Sequence, residues 1–164
     1  MGSGKYRRAA DGRDKFKGVE WTVNGKLAPK WTVTGGLMYI DAKRDKTQGG
    51  KNDGRFVNGV ADWSGVLGLV YEPNDSLGII GRVVWNDAAY IDNSNAPSGK
   101  TKIPSYTIFD LGVNYKTHLG QIPVSLSAMC YNVTNKDYWM GRGSSTTFGL
   151  SMPRTFMLSA RFEF

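Results

Sequence analysis

From Phe156 to Phe164 the chain alternates without a break: Phe156, Leu158, Ala160, Phe162 and Phe164 on one parity, Met157, Ser159, Arg161 and Glu163 on the other. A period of two gives a strand one apolar and one polar face, whereas a helix would spread the same residues around its axis. Chain ends fray unless something ties them down. A half-buried strand that runs to a final aromatic therefore predicts pairing with another strand. It also places a ring at a membrane–water boundary, which suits a barrel that crosses lipid.

The same period recurs along the chain. Val19, Trp21 and Val23 share a face, as do Trp31, Val33, Leu37 and Tyr39, then Trp63, Leu67, Leu69 and Tyr71, then Leu77, Ile79, Val83 and Trp85. Phe109, Leu111, Val113 and Tyr115 follow, and Val124, Leu126, Ala128 and Cys130 complete the set. The first turn is expected at Ala28-Pro29-Lys30 rather than Asn24-Gly25, because Gly25 and Leu27 continue the parity of Val23 and proline cannot donate to a ladder. Short connections (Ala28–Lys30, Glu72–Ser76, His118–Gln121) alternate with long polar ones, about 41–58, 87–104 and 135–151. Strict alternation is not expected of a sandwich. It predicts an all-β, antiparallel transmembrane barrel with tight periplasmic turns and long outer loops.

The opposite parity, with Arg82, Asp110, Asn114, Lys116 and Arg161, should face a watery lumen. Counting back from a periplasmic carboxyl end, the first strand descends from outside. A complete bacterial barrel has an even strand number with both ends inside. About seven strands thus predict part of a larger barrel, 16–164, preceded by 1–15 as a remnant of an extracellular loop or an artificial start. Seven strands alone would leave edges that lipid does not tolerate. One remedy is an eight-stranded barrel that recruits Lys5 to Ala10 as an extra edge.

Composition narrows the function. At 164 residues the chain is one domain or part of one, and no apolar run approaches the roughly 18–20 residues of a membrane helix. Its formal charge of +7 sits largely in Lys5-Tyr6-Arg7-Arg8, Arg13-Asp14-Lys15, Lys43-Arg44-Asp45-Lys46 and Lys51. With no nucleic-acid motif beside them, these runs read as solvated loop surface. Cys130 is the single cysteine, so no intrachain disulfide is open to it. The one histidine, His118, falls in a periplasmic turn, and Asp41, Asp87 and Asp110 lack metal-ligand spacing. Gly141-Arg142-Gly143-Ser144-Ser145 lacks the phosphate-loop pattern. Asn132-Val133-Thr134 matches a glycosylation sequon that a bacterial strand end would not use. Neither an enzyme nor a resident cofactor is expected.

Four pieces carry a resemblance: Gly18-Val19-Glu20 with Leu27-Ala28-Pro29-Lys30-Trp31; Ile103-Pro104-Ser105-Tyr106-Thr107 leading to Asp110-Leu111-Gly112; Asn132-Val133-Thr134-Asn135-Lys136-Asp137-Tyr138-Trp139; and Pro153-Arg154-Thr155-Phe156 closing on Phe164. In this order and spacing the chain resembles TonB-dependent siderophore receptors over about 16–164. The match corresponds to the last seven or so strands of a 22-stranded barrel. The resemblance implies a Gram-negative outer-membrane protein that binds a ferric siderophore outside and imports it with energy from TonB. That family's plug, which gates the pore and meets TonB, has no counterpart in these strands, so the chain alone is not expected to transport. Implied partners are outer-membrane lipid, the ferric siderophore and the barrel-assembly machinery, with no nucleic acid. Phe156, Leu158, Phe162 and Phe164 would form the signal that the assembly machinery reads. Tyr90 shares the lumen parity of Arg82 and Asn86, and Trp139 falls where the sixth strand leaves the membrane. Either aromatic could meet the flat apolar surface of a siderophore, or could belong to an interfacial belt or loop packing. Two rival readings are a small standalone barrel or pore, and a soluble lipocalin-like binder with a dry interior.

Overall fold

A computed structural model describes residues 12–92, 101–141 and 148–164. Eleven strands follow in order: β1 (Arg13–Ala28), β2 (Trp31–Lys46), β3 (Trp63–Asn74), β4 (Leu77–Asn86), β5 (Ala89–Asp92), β6 (Thr101–Ile103), β7 (Tyr106–Leu119), β8 (Ile122–Tyr131), β9 (Trp139–Gly141), β10 (Phe148–Leu150) and β11 (Thr155–Phe162). Seven of them form one sheet in the order β1-β2-β3-β4-β7-β8-β11, and β5-β6 and β9-β10 are separate two-stranded sheets. Every neighbouring pair in the large sheet is antiparallel. The seven expected strands are all present, and the first turn falls after Ala28 as the parity of Gly25 and Leu27 required. The suggested recruitment of Lys5 to Ala10 lies outside the described residues, as do 93–100 and 142–147.

Register joins the seven apolar parities into one face. Trp21 opposes Leu37, Val33 opposes Leu69, Leu67 opposes Val83, and Ile79 opposes Val113. Val113 then opposes Ala128, which opposes Leu158. A slip of one residue at any pair would turn a whole strand over. Two aromatic rows border this face: Trp31 stacks on Tyr71 at 4.6 Å near the turns, and Tyr39 meets Trp63 at 4.9 Å near the loops. Trp31 and Tyr39 are eight residues apart, about 26 Å along a strand and roughly 20 Å after tilt. That suits an apolar band of about 25 Å between interfacial girdles. No charged side chain stands on this face between the rows.

Along β7 the polar side is the crowded one. In β7, Phe109 and Leu111 are 47% and 54% exposed, while Asp110 between them is 1% exposed. Side chains splay on a convex face and converge on a concave one, so the apolar set points outward and the polar set into the lumen. A lipocalin-like molecule would hide these large apolar side chains inside instead.

Four expectations change. The connection expected from Asp41 is strand as far as Lys46, and β1 begins at Arg13, inside the stretch assigned to an outer-loop remnant. Lys17 pairs with Asp41 and Lys15 with Lys43, so cross-strand pairing overrides the polar composition that suggested loop. His118 likewise stays in β7, opposite Pro123, and the turn narrows to Gly120-Gln121, with Gly120 at φ 64°. The second and third long connections carry their own hairpins, β5-β6 and β9-β10. Polar composition marked these segments as connections beyond the main sheet, which they are, but did not show their internal pairing.

Gly18 is where the β1–β2 ladder tolerates no side chain. A Cβ there would drive into the Tyr39 carbonyl oxygen and crowd Ile40. Gly18→Val should lower the unfolding free energy by about 1–3 kcal/mol through overpacking against backbone. Gly25→Val, with open space around its Cβ, should cost less than about 0.5 kcal/mol. Urea unfolding in lipid vesicles measures both, and equal effects would refute the packing account.

Candidate functional site

Part-way along β4 and β7, and beside the end of β8, the lumen face holds a charged pair tied to a turn. Arg82 on β4 and Asp110 on β7 are register partners. Nε and Nη2 of Arg82 donate to Oδ2 of Asp110 at 2.7 and 2.6 Å. The Arg82 guanidinium also lies 5.8 Å from the centre of the Tyr131 ring. Oδ1 of Asp110 accepts the backbone N–H of Asn132 at 2.7 Å. Both oxygens of the buried carboxylate are therefore used, as burial of a charge requires.

Asn132 opens a turn that clamps three segments. It is buried and has φ 51°, a conformation asparagine tolerates better than most residues. Its Oδ1 accepts the N–H of Lys136 at 2.9 Å, and its Nδ2 donates to the carbonyls of Lys136 and Met152 at 2.9 and 3.1 Å. Val133 N–H donates to the Phe109 carbonyl at 2.8 Å, holding the turn against β7. Asn135, also at φ 51°, accepts the Arg154 N–H at 2.8 Å and so fixes the entry to β11. Above this, Tyr106 stacks on Tyr138 at 4.0 Å, and Asn86 donates to the Tyr106 hydroxyl at 2.9 Å.

A second cluster lies between the loops. Phe56 bridges to Lys43 beyond the main ladder, and its ring stacks on Tyr90 at 5.4 Å and 16°. Nζ of Lys43 lies 5.7 Å from the Phe56 centroid, and Nζ of Lys102 lies 4.4 Å from that of Tyr90. Tyr90 is in β5, which belongs to a separate sheet from β4, so the parity of Arg82 and Asn86 does not carry over to it. Trp139 sits in β9 opposite Leu150, 47% exposed and eight residues past the end of β8 rather than at its exit. The two expected ligand contacts therefore stand on different hairpins. Phe156, Leu158 and Phe162 lie on the outward face of β11, and Phe164 follows it.

Among the described residues no three His, Cys, Asp or Glu side chains gather as a metal site. The clusters instead offer a rigid frame and an aromatic, cationic surface. The family profile described as "TonB dependent receptor-like, beta-barrel" matches residues 2–133. The chain belongs to that family. As a TonB-dependent receptor barrel it is an outer-membrane protein, and its all-β antiparallel sheet is a piece of a larger barrel.

This receptor barrel is 28% identical over 156 residues to the ferrichrome receptor FcuA of Yersinia enterocolitica, a match covering 93% of this chain and 20% of FcuA. It is 26% identical over 164 residues to the probable TonB-dependent siderophore receptor PiuA of Acinetobacter baumannii, covering 93% and 21% respectively. Among solved structures, that of BauA, the ferric preacinetobactin receptor of A. baumannii, superposes with a TM-score of 0.84 at 30% identity, over 95% of this chain and 23% of BauA. The chain thus spans about one fifth of the length of these curated relatives.

Sequence reading missed the polar latch. Asn132 drew notice only as part of a sequon and a family signature, and Asp110 only as a lumen residue, a scattered carboxylate and part of that signature. One signal was available: an asparagine directly after a strand, with another three residues on, favours left-handed turn positions.

Proposed function

We propose that this chain forms the carboxy-terminal wall of an outer-membrane receptor that binds a ferric siderophore outside and imports it with energy delivered through TonB. The observation that carries this reading is the face segregation through seven paired strands, with the elaborated loops all at one end. The siderophore-receptor names of its relatives support it. In this reading 16–164, with β1 reaching back to Arg13, is one portion of the barrel. Gating and the contact with TonB belong to a plug domain, so these strands alone do not drive transport. The ferric siderophore is cargo; the protein is a transporter without a resident cofactor and catalyses no reaction.

Tyr90 is the stronger ligand contact, because it presents an electron-rich ring beside Lys102 and Phe56, a surface for a planar, partly anionic chelate. Trp139 is the weaker one. Phe156, Leu158, Phe162 and Phe164 present the alternating aromatic edge to the barrel-assembly machinery.

An iron-starved strain that expresses the intact receptor tests the reading. Deleting its gene should abolish growth on at least one ferric siderophore from a hydroxamate, catecholate and mixed-ligand panel. Tyr90→Ala in the intact receptor should raise that ligand's Kd about tenfold, the loss expected of one aromatic contact. Unchanged growth on every ferric siderophore would sink the receptor reading.

A further inference from the structure

Two of the basic runs that composition assigned to solvated loops, Arg13-Asp14-Lys15 and Lys43-Arg44-Asp45-Lys46, are paired strand. Lys15 and Lys17 on β1 share the outward parity of Val19 and Trp21, and Lys43 on β2 shares that of Tyr39. Lys15 and Lys43 are direct register partners, a like-charge opposition that costs free energy unless an anion joins them. Asp41, opposite Lys17, pairs with Lys43 at 3.1 Å, and Arg13 pairs with Asp45. That leaves three ammonium groups against one carboxylate on this patch of the outward face. Lys15 and Lys17 are exposed and have no ion pair or hydrogen bond among the described residues.

Height decides what this patch meets. Asp41 and Lys17 stand two residues beyond the Tyr39–Val19 pair, and Lys15 and Lys43 stand four beyond. Two to four residues correspond to roughly 5–10 Å above the aromatic row on a tilted strand. The headgroup layer outside a 30 Å hydrocarbon core is about 5–8 Å deep per leaflet. Below the lysines a trough of about 230 Å³ runs on the same face, walled by Trp21 and Trp85 and lined by Gly35, Leu37, Gly65 and Leu67. Two glycines in register with large neighbours make that hollow.

We propose that this face is a lipid-binding site: the trough seats an acyl chain, and Lys15 and Lys17 hold the phosphate of an anionic lipid headgroup in the outer leaflet. The proposal rests on the outward assignment of the apolar face. It requires each part in its order, an apolar slot, an aromatic row at the interface and a cationic cap. The lumen face at the same height instead brings Asp14 opposite Arg44, a pairing of opposite sign.

The test uses the receptor purified as its cell expresses it and reconstituted in phosphatidylcholine vesicles. Brominated phosphatidic acid and brominated phosphatidylcholine are compared as quenchers of Trp21 and Trp63. That signal is the part lost in a Trp21→Phe/Trp63→Phe variant. Phosphatidic acid should be preferred about tenfold at low salt, in line with the attraction of a membrane-proximal lysine for anionic lipid. The preference should fall to near unity in Lys15→Gln/Lys17→Gln and survive in Lys15→Arg/Lys17→Arg. Inorganic phosphate in the buffer should not abolish it, because free phosphate gains nothing from the trough. Equal quenching by both lipids overturns the lipid site alone, as does full competition by free phosphate. If neither lipid quenches, the outward assignment fails and the site falls with it.

Discussion

Asp110→Ala is expected to lower the unfolding free energy of the barrel in lipid by about 3 kcal/mol. Removing one partner of a buried pair costs about 3–5 kcal/mol because the other charge is left uncompensated. The Arg82 side chain is 44% exposed and can turn toward lumen water, so the lower end of that range applies. Asp110→Ala also leaves the Asn132 N–H without its acceptor, and that loss reaches the turn and the entry to β11. Asp110→Asn should cost less, since a neutral amide can still accept from either donor. Urea titration in vesicles gives these numbers, and a double-mutant cycle with Arg82→Ala separates the pair from the turn. A coupling near zero between Arg82 and Asp110, or an Asp110→Ala effect below about 0.5 kcal/mol, would show that the pair does not secure the loops.

Leu111→Arg should destabilise by about 2–4 kcal/mol, the cost of a cation on the lipid face near mid-membrane, whereas Asn114→Arg on the lumen face should stay within about 1 kcal/mol. Leu111 lies near the middle of β7, level with Gly81 and Cys130, and is 54% exposed on the outward face. Asn114 opposes Gly78 and Ser127 on the polar side. The two sites are three residues apart on one strand, so strand propensity and local register are nearly matched and only the solvent differs. The same vesicle titration reads both. Reversed costs would mean that the faces are assigned backwards, and the receptor reading and the lipid site would both fail.

How well each part could be read follows from the range of the interactions that make it. The seven strands were legible because a side chain's face is set by its own position in a period of two, and Trp21, Leu67, Ile79, Leu111 and Leu158 each declare it locally. Tight turns were legible where a residue's backbone limits are local, as at Pro29. The loop interior was not. Lys43 bridges Phe56, and Asn132 holds the Met152 carbonyl twenty residues on. No repeat in the chain announces such single long-range pairings. The polar run Lys43–Lys46 misled for a related reason: composition reports preference for water, and strand pairing above a membrane satisfies that preference as well as a loop does.

By itself, then, the sequence determined that this chain makes antiparallel strands with one oily and one wet face, and which residues stand on each. Alternation is a property of neighbours along the backbone, and a sheet with one apolar and one polar face repeats it at every step. Only the tertiary structure decided that Arg82, Asp110 and Asn132 form one buried latch, and that Lys15 and Lys43 face each other just above the aromatic row. Register brings together residues distant in the chain. Their electrostatics depend on that closeness and on the face they share, neither of which a linear spacing contains.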